Sequence, residues 1–195
     1  MKKALFSTLL LVLAGITGFA QVKWGVDPAH THVGFSVKHL GINYVNGHFA
    51  KFNGTVETAD STNFQNAKID FTADVNSIST GVEQRDGHLK TDDFFNAAQF
   101  PDIKVKSVSF KKLSGNKYAM LADVTIRNTT KRVTFDVTYN GVVRDPWGLW
   151  RAGFTIKGRI NRLDFGVKYA DKLPSGVYAV APVVDIQVDA EIVKG

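Results

Sequence analysis

Along most of the chain, apolar and polar residues take turns. From His32 to His39 the apolar residues Val33, Phe35 and Val37 occupy every second place, with Gly34, Ser36 and Lys38 between them. Side chains on an extended strand point to opposite faces in turn, so this period of two predicts a strand with one buried face. The same reading gives a strand over 45–58. Its phase slips between Phe49 and Phe52, three places apart, which predicts a bulge. Residues 67–75 alternate most cleanly, with Ile69, Phe71, Ala73 and Val75 set against Lys68, Asp70, Thr72 and Asp74. Further strands are predicted over 103–110, 118–126, 131–143, 150–160 and roughly 180–192, with turns at 114–116, 128–130 and 145–148. That makes about eight strands on short connections. Long helices do not alternate with them, which argues against a parallel sheet and leaves an all-β sandwich or barrel. A barrel of this size either holds one small ligand or is filled by its own side chains, and the 14 phenylalanines suit both.

One stretch breaks the alternation. Residues 80–95 carry Arg85, Asp86 and His88 within four places, then Asp92, Asp93, Phe94 and Phe95. On a helix Arg85, His88, Leu89 and Asp92 share a face, because residues three and four apart are neighbours. Thr91 or Asp92 is placed to cap a second turn bearing Phe94 and Phe95. The segment therefore reads as a helical cap that sets polar groups and two phenyl rings over one end of the strands.

Composition narrows the function. Residues 1–20 read as a secretory signal peptide: Lys2 and Lys3, an apolar core over 4–13, and the small-residue exit Gly18-Phe19-Ala20. Residues 21–195 then form a single domain outside the cytoplasm, secreted or in the periplasm. The whole chain carries a net charge of +6; Lys2 and Lys3 are the only charges in its first twenty residues, so the rest carries +4. This mild excess is spread along the strands, and nucleic-acid binding would need clustering. There are no cysteines, which removes disulfides, thiol nucleophiles and thiolate metal sites together.

Candidate chemistry is sparse. His30 and His32 lie two apart on one side of an extended chain, a spacing that suits a metal, and His88 is a possible third ligand for a metal-dependent hydrolase. No His-Glu-x-x-His helix, Gly-x-Ser-x-Gly elbow or phosphate loop supports that reading. Arg162 and Asp164 stand two apart at the end of the 150–160 strand, placed for an internal ion pair or for pairing with the cap.

Several stretches together resemble the YceI family, secreted lipocalin-like proteins that bind polyisoprenoids. They are Trp24…Asp27-Pro28-Ala29-His30, Phe35-Ser36-Val37-Lys38-His39-Leu40, Gly47-x-Phe49-x-x-Phe52-x-Gly54, Ser77-Ile78-Ser79-Thr80-Gly81, Arg85-Asp86-x-His88-Leu89…Asp93-Phe94-Phe95, Phe100-Pro101 and Arg162-Leu163-Asp164-Phe165-Gly166. Thr31-His32 and Asn128-Thr129 depart from the usual pattern. The resemblance implies a lipocalin-like antiparallel barrel with an elongated apolar lumen. It implies binding of an isoprenoid or fatty-acid-derived lipid for transport or storage in the envelope, with transient membrane contact and a possible homodimer, rather than catalysis, a metal or a cofactor. On this reading Phe35, Val37, Phe49, Phe71, Phe94, Phe95, Phe135, Phe154 and Phe165 face the lipid chain. His39, Arg85, His88 and Arg162 face its polar head. A solid-cored structural envelope protein is the remaining alternative.

Overall fold

The computed structural model describes residues 21–195; the signal peptide read over 1–20 lies outside the described residues. The segments follow as β1 (Val22–Val26), β2 (His32–His39), β3 (Asn43–Phe49), β4 (Phe52–Thr58), β5 (Lys68–Asp74), β6 (Ile78–Ser79), α1 (Glu83–Leu89), β7 (Asp102–Lys112), β8 (Lys117–Ile126), β9 (Thr129–Arg144), β10 (Trp150–Asn161) and β11 (Val180–Lys194). They close into an eight-stranded antiparallel barrel. β1 runs through a kink into β2, and β3 through a kink into β4. Because β1 pairs with β4 and β2 with β3, each kinked pair acts as one long strand.

Two details differ from the sequence reading. The phase slip after Phe49 is a break in the strand: Ala50 N–H donates to Ser77 O and Lys51 N–H to Ser77 Oγ, so the sheet partner is lost there. Val22–Val26, outside the strands predicted from the alternation, form the closing strand. β11 pairs with β2 over Val180–Asp189 and with β1 over Ile192–Lys194, so no free edge is left along it.

The alternation maps onto inside and outside. In β8, Tyr118, Met120, Ala122, Val124 and Ile126 are all buried, while the residues between them reach solvent. The end where β1 enters and β11 leaves is plugged. Trp24, 1% exposed, donates its indole N–H to Thr58 Oγ1 at 3.2 Å. Phe64 is turned inward from the β4–β5 connection, its ring 5.5 Å from Trp24, 5.5 Å from Tyr139 and 4.9 Å from Phe154. That turn is made locally: Asp60 Oδ1 accepts the N–H groups of Thr62 and Asn63 at 2.7 Å each, and Asn63 Oδ1 accepts that of Gln65.

The cap covers the opposite end. Asp74 caps a short 3-10 turn over Val75–Ser77, and α1 follows. The expected second helical turn is not helix. Thr91 Oγ1–H donates to His88 O, Asn96 takes a positive φ of 51°, and the N–H groups of Phe95, Asn96 and Ala97 reach back to Leu89, Thr91 and Lys90. Short polar side chains that bond to nearby backbone compete with helix in this way.

Candidate binding lumen

Between plug and cap lies an apolar cavity of about 260 Å³. Its wall runs from Phe64, Phe110, Met120 and Phe154 at the plugged end, past Phe71, Val105, Phe135 and Ile186, to Leu89, Phe94, Phe95 and Val167 under the cap. Thr31 and Arg162 are the polar residues of the lining. A cavity with so few polar partners holds water poorly, and an empty one forfeits dispersion contacts for every lining atom. An apolar chain is the occupant that suits such a wall.

Arg162 stands out at the cap end. Asn161 Oδ1 accepts Leu163 N–H, Arg162–Phe165 form one 3-10 turn, and Gly166 ends it at a φ of 76°, a left-handed conformation that glycine adopts without cost. The turn swings Arg162 inward until it is 6% exposed. Its Nε donates to Ala181 O at 3.0 Å, Nη1 to Tyr169 O at 2.6 Å and Nη2 to Val180 O at 2.7 Å, while the Phe94 ring lies 5.9 Å from Cζ. The expected pairing with Asp164 is not made; Asp164 accepts from Asn161 Nδ2 instead. Burial lowers the arginine's pKa from its ordinary value, and no carboxylate is among the groups that offset this. Three of its five N–H bonds go to these carbonyls, which hold the guanidinium against an apolar wall without a carboxylate partner.

Phe35, Val37, Phe49, Phe71, Phe94, Phe95, Phe135 and Phe154 line the cavity. Phe165 does not; it is buried in the 3-10 turn and packs with the core around the wall. His39, Arg85 and His88 also fall outside the lining. His39 is exposed at the end of β2. Arg85 donates from Nε to Thr80 Oγ1 at 2.7 Å and from Nη2 to Thr80 O at 3.0 Å, while Thr80 N–H donates to Asp86 Oδ1 at 2.8 Å. His88 Nε2 sits 2.9 Å from Asp93 Oδ2, and its ring stands edge-on to Phe94 and Tyr169. The Arg-Asp-x-His pattern thus ties the helix to the strand before it and to the turn after it. Sequence reasoning missed the clamp from the other side: Arg127 donates from Nη1 to Asp92 O and Phe94 O, each at 2.8 Å, and from Nη2 to Asp92 Oδ1 at 2.6 Å. Lys168 pairs with the same carboxylate. Arg127, at φ 55° in the β8–β9 turn, gives no local sign of that partner.

The three histidines considered for a metal are not brought together. His88 belongs to the cap, His32 faces His48 with ring centroids 5.5 Å apart, and His30 Nδ1 lies 2.9 Å from Asp27 Oδ2. Asp27, His30 and Glu191 do bring ligand atoms within 4.8 Å of one another. Arg151 fills that space, its Nη1 2.6 Å from both Asp27 Oδ2 and Glu191 Oε1 and its Nε 2.7 Å from Asp145 Oδ2. The His30 hydrogen bond, then the Arg151 one, lowers the Asp27 pKa to about 2. A carboxylate pKa depressed by folding stabilises above its unfolded value, near 3.9, and that contribution is lost as pH falls toward 2. Asp27→Asn is therefore expected to flatten the acid limb of the stability profile between about pH 4 and 2, by on the order of 1 kcal/mol after solvent screening. Melting temperature against pH checks this; an unchanged acid limb would remove Asp27 from the network's energetics.

A YceI-like domain model matches residues 24–192. Protein YceI of Escherichia coli O157:H7 is 36% identical over 171 residues, covering 86% of this chain and 88% of its own. The YceI protein of Campylobacter jejuni superposes with a TM-score of 0.70 at 29% identity, over 87% of this chain and 96% of that one. A polyisoprenoid binding domain from Saccharophagus degradans, implicated in plant cell wall breakdown, shares the fold with a TM-score of 0.65 at 12% identity, over 88% and 98%.

Proposed function

The chain belongs to the YceI-like family, and from that premise we propose that it carries one amphiphilic lipid, isoprenoid or fatty-acid-derived, for transport or storage in the cell envelope. The observation that carries this reading is a lumen apolar along its length, with one carboxylate-free arginine under the cap. The lipid tail lies toward Phe64 and the polar head toward Arg162. The polyisoprenoid-binding neighbour supports the choice of ligand class.

Burying a hydrocarbon from water is worth about 0.8 kcal/mol per carbon unit, which over a long chain exceeds the roughly 18–21 kcal/mol ceiling of non-covalent binding. Such a lipid comes from a membrane instead, and acyl core and lumen are nearly equal solvents for it. Selectivity then rests on bore and head group. Exchange needs contact with the bilayer, for which the cap end offers Ile42 and Tyr44, 83% and 53% exposed, and Val177 beside Gly41. Mass spectrometry of an organic extract of the purified protein tests the proposal. A single class of amphiphile near one per chain is expected; an extract without lipid, and no uptake from lipid vesicles, would refute it.

A further inference from the structure

Three glycines on the inner face have no backbone reason to be glycine. Gly47, Gly54 and Gly158 all lack a positive φ, and the pairing is continuous through Gly47 with β2, through Gly54 with β5 and through Gly158 with β11. What each lacks is room. A Cβ on Gly47 would stand 2.3 Å from Phe35 Cζ, one on Gly54 2.9 Å from Phe71 Cδ2, and one on Gly158 2.4 Å from Phe135 Cδ1. Carbon atoms in contact sit about 3.5–4.0 Å apart. Each ring therefore occupies the space that its neighbour's side chain would need. Phe35 pairs directly with Gly47 across β2–β3, and Phe71 with Gly54 across β4–β5. Phe135 meets Gly158 one step beyond the last β9–β10 pair, Asp136 with Lys157. The three pairs stand on three different seams of the barrel.

We propose that these Phe-on-Gly pairs gauge the bore: each glycine lets the opposite ring lie along the wall, and the width kept free admits a methyl-branched isoprenoid chain rather than a straight acyl chain alone. The inference rests on the lumen being the lipid site and specifies the chain it takes. A ring pushed off its glycine turns into the bore. Methyl branches, which need the width at intervals along the chain, then suffer before a straight chain does.

Gly158 gives the cleanest test, because the three atoms nearest its Cβ, at 2.4, 2.8 and 3.4 Å, all belong to the Phe135 ring. Tetraprenyl alcohol and the straight sixteen-carbon alcohol, equal in main-chain length, are titrated into wild type, Gly158→Ala, Phe135→Leu and the double variant. Gly158→Ala is expected to weaken the prenyl alcohol about tenfold while moving the straight alcohol about twofold or less, and the double variant to restore the prenyl alcohol. Phe135→Leu, which adds no atom to the wall, is expected to shift the ratio toward the branched chain. Equal changes for both alcohols in Gly158→Ala, no restoration in the double variant, or an unmoved ratio in Phe135→Leu would overturn the gauge alone. Wild type that binds neither alcohol would overturn the lumen as a lipid site, and the gauge with it.

Discussion

Phe135→Asp is expected to abolish lipid retention and to destabilise the barrel by about 3–5 kcal/mol. Phe135 is 4% exposed on the inner face of β9, with its ring over Gly158. Removing the ring leaves a cavity, and the carboxylate that replaces it has no hydrogen-bond donor on this part of the wall. Part of that cost is avoided if the acid stays protonated, so the loss deepens as pH rises above the usual carboxylate range. Denaturant unfolding and lipid content after purification measure both effects. A variant that melts normally and keeps its lipid would show that this face of β9 does not enclose the site.

The second large effect belongs to Arg162. Arg162→Met keeps most of the side chain's bulk but leaves Ala181, Tyr169 and Val180 carbonyls without their donor, an expected cost of about 2–4 kcal/mol. It also removes the cation proposed to face the polar head. A phosphorylated prenyl lipid is expected to lose about ten- to a hundredfold in affinity, the worth of a charge-assisted hydrogen bond, while its neutral alcohol loses much less. Arg85→Ala is the control. Its bonds go to Thr80, so it loosens the cap and weakens both lipids alike. Paired titration of the two lipids into the three proteins separates the roles. Equal losses in Arg162→Met would make Arg162 a strut like Arg85.

Much of the barrel is visible in local pattern. A period of two marks which face of a strand is buried, and it placed Phe35, Phe71, Phe135 and Phe154 on the lumen wall. What stayed hidden depends on contacts distant in sequence. Closure by β1 rests on pairing Trp24 with Lys194 and with Val56, and a five-residue strand carries no sign of those partners. The same holds for the polar groups. Arg85, His88 and Arg162 look alike as basic side chains near one end of the barrel. Arg85 is captured by Thr80, His88 by Asp93, and only the turn from Asn161 to Gly166 carries Arg162 onto the wall. Phe165, in that same turn, points into the packing around the wall, because a 3-10 turn does not keep the alternation of the strand before it. The meaning of Gly47, Gly54 and Gly158 appears once the facing rings are known.

Photo-crosslinking reports most directly whether a lipid lies along the lumen with its head under the cap. Two prenyl lipids are compared, one with a diazirine at the tail end of the chain and one with it beside the head group. The tail probe is expected to label Phe110, Met120 and Phe154 near the Phe64 plug, and the head probe to label Phe94, Val167 and the Arg162 turn. Labels confined to the outer face of the barrel, or the same residues labelled by both probes, would contradict an oriented lipid inside it.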